Sequence, residues 1–351
     1  MTATHIQLTN WQTSLITQSA IIENGAVMHF GNAKKELIAT TNSNVLCDLS
    51  HLGLLEISGD DAVSFLQGQV TNDVKLLAGT NAHYSAYCNP KGRMLALFLA
   101  FAHYDHLHLQ FNRTLLEPIM KRLKMYVMRS QVNIKDVSED IINIGINGPE
   151  AAQILASSLP QIPSEDYQLI TLENATILKM PSINNHARFQ IFTNADNAPK
   201  IWNVLKEKCE VVGKPCWDWL EIQAGIPDIE LKTQEQFVPQ MLNLDLLNGI
   251  NFKKGCYTGQ EIVARTHYLG SVKRRTYLAE LDTISAADIM PSAGDKVMDG
   301  NKNEVGQIVR VTVNTNNGYD ALIELRIEAT LTENLSCDGN TIKLKQLPYS
   351  L

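Results

Sequence analysis

The chain has 351 residues, 44% of them hydrophobic and 19% charged, and a formal net charge of −7. That is apolar material for two or three packed domains, and it excludes a disordered chain. The acidic balance excludes strong non-specific nucleic-acid binding, so direct RNA contact is not expected, although a local basic patch stays open.

Residues 1–44 are polar and irregular, with one predicted helix. The start, Met1 to Gln7, lacks the basic-then-apolar layout of a signal peptide. Leu54 to Ser58 reads as a short strand. Asp60 or Asp61 then caps a helix whose apolar face includes Val63, Leu66 and Val70. Met94 to Ala102 is an unbroken apolar run of nine residues, a buried strand and too short to span a bilayer, so no membrane partner is expected. Leu107, Leu109 and Phe111 alternate with His106, His108 and Gln110, the period of a half-buried strand, and the two strands pair across Tyr104-Asp105.

Leu115, Leu116, Ile119, Met120 and Leu123 recur at helical spacing, with Lys121, Arg122 and Lys124 on a solvated face. Ile141 to Ile146 predicts a strand that turns at Asn147-Gly148-Pro149 into a helix from Glu150. Pro199 to Lys208 predicts a further amphipathic helix with Trp202 and Leu205 inward. From Val272 onward, short strand-like runs (272–280, 305–313, 319–327, 341–346) are separated by Gly, Asn and Asp, which predicts a small antiparallel barrel or sandwich. The sum is an α+β chain with a C-terminal β domain.

The six cysteines (47, 88, 209, 216, 256 and 337) form no Cys-x-x-Cys pair and have no histidine at zinc spacing. This predicts free thiols in a reducing cytoplasm. His83, His103, His106 and His108 have no carboxylate or thiol partner visible in sequence, so no metal site is expected. The glycine signatures of phosphate and dinucleotide loops are absent, as is the Gly-x-Ser-x-Gly elbow of a triad hydrolase.

The most informative stretch is Lys253-Lys254-Gly255-Cys256-Tyr257-Thr258-Gly259-Gln260-Glu261. Thr258 and Glu261 precede an apolar run at capping-box spacing, which predicts Thr258 as the N-cap of a helix. Cys256 then lies two residues outside that cap, facing the positive end of the helix dipole and flanked by two lysines. All of these favour a thiolate. Gly255 and Gly259 allow a sharp turn or a close approach. A lone cysteine is otherwise most often a small buried hydrophobe, and both readings stand at this point.

These nine residues resemble the signature of the YgfZ family, folate-binding relatives of the glycine-cleavage T-protein, an aminomethyltransferase. The resemblance runs from about residue 48 to 325 through Leu66-Gln67-Gly68-Gln69-Val70-Thr71-Asn72-Asp73, Cys88-Asn89-Pro90-Lys91-Gly92-Arg93, Ile146-Asn147-Gly148-Pro149 and Glu221-Ile222-Gln223-Ala224-Gly225-Ile226-Pro227. It implies a T-protein-like multidomain arrangement around a central folate cavity. The units expected are an interleaved folate-binding core (1–140 and 210–268), a second α+β subdomain (141–209) and a C-terminal antiparallel β-barrel (269–351).

It also implies tetrahydrofolate or a derivative as cofactor, and iron–sulfur client enzymes, including tRNA-modifying ones, as partners. A folate site needs an aromatic wall, side chains matching the pterin edge and cations for the glutamate tail. Trp217 falls on a folate-flanking Trp of the family, while Leu52 replaces the second. Gln223 stands where T-proteins and many relatives have Glu, and Asn72 and Asp73 are further polar anchors. Lys91, Arg93 and Lys254 are the candidate cations. The T-protein's catalytic Asp falls on Ala96 or Leu97, neither of which moves a proton, which speaks against aminomethyl transfer and leaves Cys256 as the functional group. The expected role is therefore that of a folate-binding accessory protein supporting iron–sulfur assembly or repair and thereby tRNA modification. The alternative is a tetrahydrofolate-dependent one-carbon transferase.

Overall fold

A computed structural model describes residues 9–282, 290–331 and 334–351. Two sheets and a barrel carry the chain. The first sheet is antiparallel and five-stranded, in the order Ala82–Cys88, Met94–His103, His106–Asn112, Leu52–Ser58, Asn133–Asp136. The second has six strands, in the order Leu169–Thr171, Thr176–Ile183, His186–Asn194, Ile141–Gly148, Val45–Asp48, Glu210–Val212. Its last pair is the one parallel pair. The strands Arg274–Asp282, Tyr319–Arg326, Glu304–Val313, Lys296–Met298, Ser336–Cys337 and Asn340–Lys345 close a C-terminal antiparallel barrel, which the family resemblance implies and which is one of the two arrangements the run of short strands predicts.

The second unit is wider than the 141–209 expected. It takes Val45–Asp48 and Glu210–Val212 into its sheet. Residues 9–44 pack on it as well. They form two helices, Asn10–Ile16 and Ala33–Asn42, around a hairpin of Ile21–Glu23 and Ala26–His29, where the sequence predicts one helix. Trp11 meets the fully buried Trp202 edge-on at 5.5 Å, in a core shared with Leu46, Ile144 and Ile191. That contact spans 191 positions of sequence, beyond the reach of any local pattern.

Two face assignments also change. The helix Ala62–Gln67 buries Ala62, Phe65 and Leu66 while Val63 is exposed, and Val70 is buried beyond the helix end. The strand His106–Asn112 is not half-buried, because Leu107 through Phe111 are all covered. The second sheet lies over its polar side. Gln110 Nε2 donates to Gln190 Oε1 at 2.9 Å, and Phe101 on the neighbouring strand packs 4.6 Å from Phe192. The same sheet gives the histidines a carboxylate that sequence spacing does not show. Glu56, opposite His108, puts Oε2 3.2 Å from His106 Nδ1 and 3.8 Å from His108 Nε2. Among the described residues no helix is long and apolar enough to cross a membrane.

The helix Lys214–Gln223 is buried from Cys216 through Ile222 and packs against both the N-terminal hairpin strand and the barrel strand Glu304–Val313. It begins at Gly213, where a Cβ would lie 2.0 Å from the Met28 carbonyl oxygen, so only glycine admits the approach. This helix positions the first half of the site.

Candidate functional site

Trp217 is 1% exposed and lies on the strand Ile141–Gly148 over Gly145, where a Cβ would come within 2.4 Å of the indole. One glycine thus opens a slot for the largest side chain of the helix. Trp217 lines a cavity walled by Leu52, Tyr84, Leu97, Leu99 and Phe111. Leu52, where the family resemblance would put a second Trp, and Leu97, one of the two positions it allows for the catalytic Asp, line this hollow. Ala96 is fully buried on the other side of its strand.

Glu221, one turn beyond Trp217 on the same helix face, also lines the cavity, with Asn112, Asp228 and Arg310. Glu221 Oε1 accepts from Arg188 Nη1 at 2.8 Å, and Arg188 is fully buried with its guanidinium 5.6 Å from the Trp217 ring centroid. Arg310 reaches in from the barrel, 2.6 Å from Asp218 and 3.9 Å from Glu221. Burial works to raise the Asp218 pKa, but Lys214 and Arg310 outweigh it and hold the carboxyl well below the usual range. Asp228, with Asn112 Nδ2 donating to it at 3.0 Å, is pushed up, because burial outweighs the pull of Arg310.

Among the described residues, Nε1 of the cavity-lining Trp217 has no partner, nor do Nε and Nη2 of Arg188, which pairs with Glu221 but does not itself line the cavity. Buried N–H groups are rarely left so, and each costs about 1–3 kcal/mol when unmet. The unmet Trp217 donor with the carboxylates of Glu221 and Asp228 matches a flat heterocycle that both accepts and donates. The free volume is about 50 Å³, water-sized rather than ring-sized, so a ring enters only when wall side chains move aside.

Gln223 does not belong to this cavity. Its Nε2 donates to Asp320 Oδ2 at 2.8 Å, beside Trp219 Nε1 at 2.9 Å, on the face of the helix that meets the barrel. The cavity-facing carboxylate is Glu221 instead. Its four-residue spacing from Trp217 is the signal that would have found it. Arg188, in a strand with no local mark of function, offers none.

The second half of the site is the loop 251–259, where the sequence motifs converge. The Nζ of Lys254 donates to the carbonyls of Gln67, Val70 and Asn72 at 2.8, 2.6 and 2.7 Å, and the side chain is buried. Burial pushes its pKa down to about 8, while only the ammonium has three N–H groups to give to three carbonyls. Lys254 is therefore a clamp on the chain after Ala62–Gln67 and has no donor left for a folate tail. Asn72 is similarly committed, with Nδ2 donating to Tyr84 O and Asn248 O. The Asp73 carboxylate accepts from Gln67 Nε2 and Lys75 N. None of these lines the Trp217 cavity.

Lys91 and Arg93 sit at a hairpin turn tied by Asn89 Oδ1, which accepts from both backbone N–H groups. Lys91 is exposed, and the Arg93 guanidinium donates to Gln236 O. Gly259 packs directly on this turn. Its φ is +83°, and a Cβ would lie 2.5 Å from Asn89 O. Gly259, not Thr258, is the N-cap residue of the helix Gln260–Tyr268, and no side-chain cap bond forms. The left-handed turn displaces the expected capping box. At Gly255 a Cβ would meet nothing, so the turn requires only Gly259.

Cys256 is exposed and the other five cysteines are buried. No residue of 253–261 lines the Trp217 cavity. Leu97 in the cavity and Gly92 at the turn are five residues apart, roughly 17 Å of strand.

Residues 3–251 match the GCVT N-terminal domain family. The proteins named tRNA-modifying protein YgfZ from Shigella sonnei (strain Ss046) and Yersinia pestis (strain Pestoides F) are 32% and 31% identical over 323 and 320 residues. Those alignments cover 87% of this chain and 93% and 92% of theirs. The chain belongs to the YgfZ family. The glycine cleavage system aminomethyltransferase T from Bartonella henselae matches at a TM-score of 0.79 and 18% identity, over 97% of each chain. The T-protein-like fold is thus common to YgfZ and that enzyme. In this YgfZ member the loop of the exposed thiol packs on the hairpin turn, whereas the Trp217 cavity lies farther along the hairpin strand, so the two are separate places.

Proposed function

We propose that this protein is a folate-binding accessory protein that supports iron–sulfur enzymes and, through them, tRNA modification. The family membership supports the tRNA-modification role, since its relatives carry that name. The iron–sulfur part rests on the resemblance of residues 253–261. The observation that carries folate binding is a cavity lined by Trp217, whose Nε1 is unmet among the described residues, together with the carboxylates of Glu221 and Asp228. Tetrahydrofolate, when bound, supplies a one-carbon carrier. Trp217 stacks its ring, Glu221 and Asp228 read its donor edge, and Arg93 and Lys91 remain the cations for its tail. Cys256 acts on a client at the surface. It is the one exposed cysteine, and its loop is fixed by Lys254 and Gly259.

Tetrahydrofolate quenching of tryptophan emission, lost in Trp217→Phe, tests the first part. Saturable binding that survives Trp217→Phe and Glu221→Gln unchanged removes the cavity from the reading. Complementation of a null strain by Cys256→Ser at normal protein levels removes the thiol.

One observation favours a second reading, a tetrahydrofolate-dependent aminomethyl transferase. Asp228 is a buried cavity carboxyl with a raised pKa, able to move a proton where Leu97 cannot. Formation of methylenetetrahydrofolate by the purified protein, abolished in Asp228→Asn, would establish it.

A further inference from the structure

On the other side of the Cys256 loop lies an open groove of about 500 Å³ that the folate reading does not use. Its walls are Phe252, Lys253, His267 and Tyr268, with asparagines 81, 248 and 251 along its length. The Phe252 and His267 rings are stacked at 3.8 Å and 13°, and Tyr268 stands edge-on to both, at 6.1 Å from Phe252 and 4.7 Å from His267. Phe252 covers one face of the imidazole. His267 is exposed, and Tyr268 is 64% exposed beside it.

Large exposed rings are costly to leave in water without a use. The polar groups are free as well. Among the described residues, Lys253 has no ion-pair or hydrogen-bond partner for its ammonium, and the amides of Asn81 and Asn248 make no side-chain hydrogen bond, in contrast to the clamped Lys254 and Asn72. Among the described residues no carboxylate lines the groove, in a chain with 37 acidic residues.

The geometry points to a nucleotide-binding groove: a base stacks on the exposed His267 against the Tyr268 wall, the Asn81 and Asn248 amides read its edge, and Lys253 meets its phosphate. Amides present a donor and an acceptor on one plane, as base edges do, and aromatic faces hold any base. The net charge that argues against broad RNA binding is a property of the whole chain, whereas the groove itself is lined by Lys253 and, among the described residues, by no carboxylate. Lys253, on the groove wall, is three residues from the exposed Cys256 in sequence.

The ligand chemistry, a base with a phosphate, has two sources, a free nucleotide or a single RNA strand. Fluorescence anisotropy of a short labelled single-stranded RNA with the full chain at low salt, with AMP as competitor, separates them. Saturable binding that AMP displaces assigns the groove to free nucleotides, and binding that AMP leaves intact assigns it to a strand. In either case Tyr268→Ala and His267→Ala each weaken binding about tenfold without changing Tm, and Lys253→Gln flattens the salt dependence. Trp217→Phe leaves the affinity unchanged, which keeps the outcome independent of the folate cavity. Absence of saturable binding by both RNA and AMP, or equal affinity in the groove variants, overturns the assignment.

Discussion

Around Trp217 the charged side chains are buried and paired, whereas around Cys256 they are exposed and, apart from Lys254, free. Beside the cavity Arg188, Glu221, Arg310 and Asp218 form one network that joins the second sheet, the central helix and the barrel. The loop face holds Lys253, Cys256, His267 and Tyr268 at the surface of a segment whose backbone is fixed from beneath. The difference teaches where each kind of chemistry can occur. A low-dielectric hollow with an unmet donor suits recognition of a small polar ring, because an unsatisfied group rewards the ligand that meets it. An exposed thiol on a rigid turn suits reaction with a large partner, which a closed hollow cannot admit.

The sharpest way to break the contrast is to unpair the buried charge. Glu221→Ala leaves Arg188 alone in the core and is expected to cost about 3–5 kcal/mol in urea unfolding. Glu221→Leu with Arg188→Met is expected to recover most of it, because an apolar pair needs no solvation. A Glu221→Ala loss below about 1 kcal/mol would mean the pair is hydrated. Lys254→Met, on the other face, strips a charged donor from three carbonyls and is expected to cost about 2–3 kcal/mol. Lys253→Met should cost almost nothing, and equal effects at the two positions would erase the inside–outside division of this dipeptide.

Acid should weaken the buried side selectively. Burial lowers both His51 and His108 to about 3, helped by Lys214 for His51 and by His103 for His108. Between pH 6.5 and 3 the unfolded chain binds protons that the native state refuses. Stability therefore falls as pH drops through that window, by up to about 2 kcal/mol at pH 5 for each imidazole. Urea midpoints at pH 7 and 5 check this, with His51→Asn removing part of the loss; a flat profile would show both rings hydrated.

Gly259→Ala forces a Cβ onto Asn89 O at a positive φ and is expected to cost about 1–2 kcal/mol while freeing the Cys256 loop to proteolysis. The smallest expected effect is the most specific. Cys256→Ser changes stability by less than about 0.5 kcal/mol. Iodoacetamide modifies Cys256 alone in the native protein, and burial raises the pKa of Cys47, Cys88, Cys209, Cys216 and Cys337 against it. Mass spectra showing a second native-state adduct would contradict the burial pattern.

Much of the fold is legible from local pattern. The apolar run from Met94, the turn at Tyr104-Asp105 and the Leu115 to Leu123 helix all form where their periodicity puts them. Trp217 is legible as a site residue only through the family resemblance. Gln223 misleads because residues two apart on a helix point to different sides, so the motif that contains the site residue also contains one that faces the barrel. Lys254 misleads because a cation beside a cysteine looks like an activator until its three carbonyl partners, more than 180 residues away, are seen.

Sequence alone determined the α+β class, a β domain at the C-terminal end, the family and the candidate thiol. These depend on periodicity and on contiguous motifs, which neighbours in the chain encode. Tertiary structure decided which carboxylate faces Trp217, that Arg188 pairs with it, that Lys254 turns inward while Lys253 does not, and that the thiol and the cavity are separate. Each of those depends on contacts between distant segments. Burial sets the energy of a charge, and burial is a property of the whole packed chain rather than of any stretch of it.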